Sequence, residues 1–135
     1  GNLTMTAYSR SASLAAYQSV SVHGGVAASD PHRLVLMLMD GAIDRIMAAR
    51  GVIENGAPEA RSRLLHRAVA IIDELRGCLN MELGGELAAN MADLYEYSSR
   101  QLLRANLEGR TEPLDEVSKL LREIRSAWIQ IAPRS

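Results

Sequence analysis

The 135-residue chain has no phenylalanine, one tryptophan, one lysine (Lys119) and one cysteine (Cys78). A single thiol excludes an internal disulfide and a cysteine-rich zinc site, and it suits a reducing compartment, so a cytoplasmic location is expected. No excess of either charge sign exists: Lys plus Arg number 15 and Asp plus Glu 16, for a formal charge of -1. That balance speaks against general nucleic-acid binding, which draws on a basic surplus. Long apolar runs are missing as well. The longest is Leu34 to Met39, far short of the roughly 20 residues a membrane-spanning helix needs. No basic stretch leads into an apolar segment, so no secretory signal is expected.

The marks of catalysis are equally sparse. A di-metal helical bundle needs inward Glu residues and Glu-x-x-His pairs, yet the third residue before His23, His32 and His66 is Val20, Ser29 and Arg63. No nucleophile elbow, phosphate loop or dinucleotide fingerprint occurs. Cys78 falls near the apolar edge of a helix and reads as a buried, inert thiol. Asp40 and Asp44, four apart beside Arg33 and Arg45, read as a solvated charged face. No enzyme, metal or cofactor is expected.

What is present is a helical pattern. Residues 1–29 carry one charge, Arg10, among many Ser, Ala and Gly, with a weak helical spacing near 14–22. They read as an N-terminal arm, and residues 30–135 as the main domain. Asp30 is a good N-cap with Pro31 in the first helical position. The spacing predicts a helix from Pro31 to about Asn55, where Asn55-Gly56 supplies a stop. Further helices are predicted from Pro58 to about Asn80, from Glu86 to about Leu107 with Gly84-Gly85 before it and Gly109 after it, and from Pro113 to about Ile131. Four long helices with short connections predict an all-α, antiparallel up-down four-helix bundle with an N-terminal arm or short extra helix.

Three helices show one moderate apolar stripe each: Leu64, Ala68, Ile71, Ile72, Leu75 and Leu79; Leu87, Met91, Leu94, Tyr95, Ser98, Leu102 and Ala105; and Val117, Leu120, Leu121, Ile124, Trp128 and Ile131. The first helix has two. One holds Leu34, Leu38, Ala42, Ile46, Ala49 and Ile53; the other holds Val35, Met39, Ile43 and Met47. Its apolar arc spans roughly half the circumference, wider than a surface helix requires. The second stripe is therefore the expected partner-binding face, covered in the free protein by the arm through Leu14 and Tyr17. Tyr97 points away from its own core stripe and is a further contact candidate.

Several stretches, in order, resemble one family. Ala28-Ser29-Asp30-Pro31-His32-Arg33-Leu34-Val35-Leu36-Met37-Leu38-Met39-Asp40-Gly41 is similar to the start of the main helix of FliS, the flagellin-specific export chaperone. Tyr8 and Tyr17 resemble the spaced tyrosines of its N-terminal segment. Ala68 to Leu75, Glu82 to Met91, Leu94 to Tyr97, Leu102 to Asn106 and Val117 to Trp128 resemble its later helices. Met39 departs from the aromatic that usually precedes Asp-Gly. The resemblance implies a cytoplasmic chaperone that binds the C-terminal segment of flagellin, prevents its premature polymerisation and aids its delivery to the export apparatus. It also implies an export-gate protein and an anti-sigma factor as further partners of some members. On this reading Val35, Met39, Ile43, Met47 and Tyr97 form the client site and Tyr8, Leu14 and Tyr17 a plug. The alternative is an unrelated four-helix adaptor or self-associating bundle using the same face.

Overall fold

The computed structural model describes residues 30–130. The arm with Tyr8, Leu14 and Tyr17, and Ile131 at the far end, lie outside the described residues. Four helices follow in order: α1 (Pro31–Glu54), α2 (Pro58–Gly77), α3 (Met81–Glu108) and α4 (Glu112–Gln130). Each helix packs on two others, α1 and α3 both against α2 and α4. The pairings close a ring, and no strand occurs among the described residues.

Local chemistry sets the ends. The Asp30 carboxylate accepts the Arg33 backbone N–H at 3.0 Å, and Pro31 opens α1 without losing a bond. Gly56, at φ +70°, turns the chain out of α1. Pro58 starts α2 as the sequence predicts. The predicted end of α2 differs. The helix stops at Gly77, because Asn80 is engaged as the N-cap of α3, its side-chain oxygen accepting the Leu83 N–H at 2.9 Å. That cap also explains why α3 begins at Met81 rather than Glu86. Gly85 still interrupts the helix, at φ +53° and ψ −131°, so the turn Met81–Gly84 meets the body of α3 at a kink. Gly109, left-handed at φ +66°, closes α3 by donating to the Ala105 carbonyl at 2.8 Å.

Side-chain bonds fix an antiparallel register. Between α1 and α4 the partners run His32 with Trp128, Asp40 with Arg125, Met47 with Ser118 and Arg50 with Asp115. Between α2 and α3 they run Arg61 with Asn106, Asp73 with Ser99 and Arg76 with Glu96. Asp40 is thus the ion-pair partner of Arg125 across the bundle, rather than part of a solvated pair with Asp44.

The core is aliphatic, built around Met39, Ile46, Leu65, Ile72, Leu75, Leu102, Leu114 and Leu121, with Tyr95 and Trp128 as its aromatics. Leu65 and Leu114, outside the predicted stripes, are fully buried. Val35, Met39 and Ile43 are buried too, so they form no exposed face among the described residues. The reason is the arc itself. A helix packed on two neighbours turns both flanks inward, so the wide apolar arc of α1 is filled by core contacts. Its middle is the stripe of Val35, Met39 and Ile43, while Leu34 and Leu38 on the other stripe stay half-buried at an edge.

Candidate functional site

With the core assigned, the apolar side chains left outside it define the accessible surface. Met37, Met47, Met81, Leu83, Leu94, Tyr97, Leu103, Leu107 and Ile129 are exposed. Of the five candidate site residues only Met47 and Tyr97 belong to this set, and they sit on different faces.

Met47 is 42% exposed. It lies at an open furrow of about 470 Å³ between α1 and α4, lined also by Asp115, Ser118, Lys119, Arg122, Glu123 and Ser126. The Ser118 hydroxyl donates to its sulfur at 3.6 Å. Its other lining residues are polar or charged, but much of what they show the furrow is their apolar stems, with Met47 as its one large apolar side chain.

Tyr97 lies on the α3–α4 side. Its hydroxyl donates to the Glu116 carboxylate at 2.7 Å, and Gln101 donates to the same oxygen at 2.9 Å. That hydrogen bond to Glu116 is the main cause holding the Tyr97 hydroxyl above its ordinary pKa, because ionisation would place two anions side by side. These contacts identify the facing flanks of the two helices. On α3, Leu94 and Leu87 precede Gln101 at seven-residue steps, so they share its flank. On α4, Leu120 and Ile124 follow Glu116 at four-residue steps and share its flank.

The two rows flank the α3–α4 seam. At one end it is closed by the Tyr97, Gln101 and Glu116 network; further along it is apolar. Leu94 is 38% exposed, and Leu87, Leu120 and Ile124 are half-buried. Leu83, on the turn before the Gly85 kink, is exposed as well. An incompletely filled seam of this kind can accept the apolar side chains of an added helix at i, i+3, i+4 and i+7. The sequence pattern placed Leu87, Leu94, Leu120 and Ile124 in core stripes. The signal that separates them is their position at stripe edges, and it becomes readable once the helix pairings are known.

At the end of the bundle where α1 begins, His32 and Trp128 form a buried reciprocal pair. The His32 Nε2 donates to the Trp128 carbonyl at 2.6 Å, and the indole N–H donates to the His32 carbonyl at 3.0 Å. A carbonyl only accepts, so Nε2 carries the proton. The rings stack at 4.7 Å and 12°. His32 is therefore a structural clamp between helix ends. Cys78 is buried, and burial raises its thiol pKa. Among the described residues no three His, Cys, Asp or Glu side chains are grouped to hold a metal, and no helix is long and apolar enough to cross a membrane.

The bundle and its seam can be set beside known proteins. The family model described as "Flagellar protein FliS" matches residues 13–135. The chain belongs to the FliS family. Among FliS relatives, the flagellar secretion chaperone FliS of Vibrio cholerae is 41% identical over 121 residues, covering 90% of this chain and 89% of its own. That of Salmonella typhimurium is 42% identical over 121 residues, covering 89% and 90%. The chaperone FliSB of Pseudomonas aeruginosa is 44% identical over 112 residues, covering 83% and 89%. These FliS relatives are named as chaperones, not as enzymes. Met39, where the resemblance implies an aromatic before Asp-Gly, is fully buried in the bundle core.

Proposed function

We propose that this FliS-family chain is a cytoplasmic flagellar export chaperone whose client is the C-terminal segment of flagellin, held in the groove between α3 and α4. Bound there, the segment is kept from polymerising before it is delivered to the export apparatus. The observation that supports the placement is the apolar row of Leu87 and Leu94 on the α3 flank beside Leu120 and Ile124 on the α4 flank, with Tyr97 at its polar end and exposed Leu83 on the turn before it. The client anchors its apolar side chains along this row, and Tyr97 and Glu116 meet its backbone or polar groups. A disordered client must offset its ordering entropy, so such complexes bury roughly 1,000–3,000 Å² and show a large negative heat-capacity change. Contacts beyond the groove are therefore part of the binding. Tyr8, Leu14 and Tyr17 of the arm compete with the client for it, and an export-gate protein and an anti-sigma factor are further partners.

The test is a calorimetric titration with the C-terminal segment, on the order of 40 residues for the area that coupled folding requires, of the cognate flagellin. A one-to-one complex with a large negative heat-capacity change is expected. Paired substitution Leu83→Ser and Leu94→Ser weakens it at least tenfold without changing the melting temperature, and removal of residues 1–22 tightens it. Unchanged affinity in the paired variant overturns the groove assignment. Absence of binding by both the full chain and the truncated chain overturns the client assignment.

A further inference from the structure

The arginines of the described residues divide into two groups. Arg50, Arg76, Arg100, Arg104, Arg110 and Arg125 each reach a carboxylate. Arg61, Arg63 and Arg67, clustered in the first half of α2, reach none among the described residues. Arg61 donates to the Asn106 side-chain oxygen at 3.1 Å. Arg63 and Arg67 stand four residues apart on the exposed face of α2, where like charges repel. With Glu59, Ser62, His66 and Ala70 they line an open depression of about 650 Å³. Glu59 opposes one charge, and the N-terminal end of α2 adds a partial positive charge of its own.

The depression meets α3 at Ser62, whose hydroxyl accepts from the Asn106 amide at 3.5 Å. Within one turn of Asn106 are two exposed leucines, Leu103 and Leu107, themselves four residues apart. Leu107 is 87% exposed, more than any other large apolar side chain among the described residues. Arg33, Arg45, Arg122 and Lys119 also stand without a carboxylate partner, Arg45 donating to the Gly41 carbonyl, but no pair of exposed leucines adjoins them. Apolar anchors at helical spacing beside a surplus of unpaired guanidinium groups select for both leucine-like and carboxylate side chains.

We propose that the α2–α3 face docks an acidic amphipathic helix of a second protein, with Leu103 and Leu107 as apolar anchors and Arg63 and Arg67 as its charge partners. The complementarity is local, since the chain as a whole carries a net charge of -1. Few cations and an intervening Glu59 favour a helix over a membrane surface, which draws on larger basic clusters. The face lies on the opposite flank of α3 from the Leu87 and Leu94 row, so it does not rest on the flagellin assignment.

The probe is a labelled synthetic helix of Leu and Glu with Leu at i, i+4 and i+7, titrated by fluorescence anisotropy into the full chain. Two control peptides carry Lys for Glu or Ser for Leu. The acidic peptide is expected to bind at least tenfold more tightly than either control, with amide shifts confined to residues 59–70 and 103–107. Arg63→Glu with Arg67→Glu weakens it at least tenfold and transfers preference to the lysine peptide. Leu103→Ser with Leu107→Ser weakens it similarly. All four positions are exposed, and unchanged circular dichroism confirms folding. Titration of the same variants with the flagellin segment gives affinities within twofold of the parent. Equal binding of acidic and lysine peptides, shifts elsewhere on the bundle, or binding to vesicles of phosphatidylserine and phosphatidylcholine without binding to the acidic peptide each overturn the proposal.

Discussion

Substitution of Gly85 isolates one backbone conformation from every packing effect. At φ +53° and ψ −131° this residue occupies a region that side chains bearing a Cβ avoid. Strain of this kind costs about 1–3 kcal/mol. Space is not limiting, because a Cβ built there meets nothing within 4 Å. Gly85→Ala also restricts the unfolded chain, which returns about 0.4–1 kcal/mol. The expected net effect is a loss of about 1–2 kcal/mol. Gly51 supplies the control. It is helical, exposed and equally open around its missing Cβ, so Gly51→Ala gains about 0.5–1 kcal/mol. The two variants separate by about 2–3 kcal/mol, or roughly 10 °C in melting temperature for a domain of this size. Urea unfolding followed by circular dichroism measures both. Gly85→Ala as stable as the parent, or as stabilising as Gly51→Ala, refutes the reasoning. If the proposed client assignment holds, Gly85→Ala also weakens binding of the flagellin segment, since the kink sets where exposed Leu83 stands.

Met39→Ala, in the packed core, is expected to lose about 2–5 kcal/mol, whereas exposed Met47→Ala changes stability by about 0.5 kcal/mol or less; chemical unfolding of both separates a core residue from a surface one. His32→Ala removes a buried hydrogen bond and a ring stack, and about 1–3 kcal/mol is expected to go with them. His32→Phe recovers the stack alone, so its unfolding free energy should fall between those of the alanine variant and the parent. Cys78 holds its proton longer when folded than when unfolded, because burial raises its pKa. Its contribution is therefore complete below the unfolded thiol pKa and is lost as pH rises through that value toward the folded one. Cys78→Ser should flatten this alkaline fall in unfolding free energy, and the native thiol should react slowly with alkylating reagents.

Helix content was legible in the sequence because caps, breakers and the 3.6-residue period act locally. Asp30-Pro31, Asn55-Gly56, Pro58 and Gly109 each announced a boundary that the structure keeps. Asn80 was ambiguous, because the same side chain suits the end of one helix or the cap of the next, and its hydrogen bond to the Leu83 N–H selects the second. The wide apolar arc of α1 was also legible, but not its meaning. An arc says how much surface must be covered, not whether a neighbouring helix or a partner covers it. Val35, Met39 and Ile43 belong to the buried core cluster, and the seam with half-buried edges lies on the far flank of the neighbouring α4. The His32 and Trp128 clamp joins residues 96 positions apart, a pairing that no local pattern encodes.

The closed ring of helices has a consequence for synthesis. The core face of α1 is completed by α4, through contacts such as Asp40 with Arg125 and Arg50 with Asp115. A growing chain therefore finishes α1 long before the helix that covers it exists. At about 5–20 residues per second, the interval between translating Glu54 and translating Gln130 is roughly 4–15 s. During that time the stripe of Val35, Met39 and Ile43 is open to water and to other proteins. A chain of this architecture therefore passes through a stage at birth in which its own apolar stripe is uncovered, until α4 closes the ring.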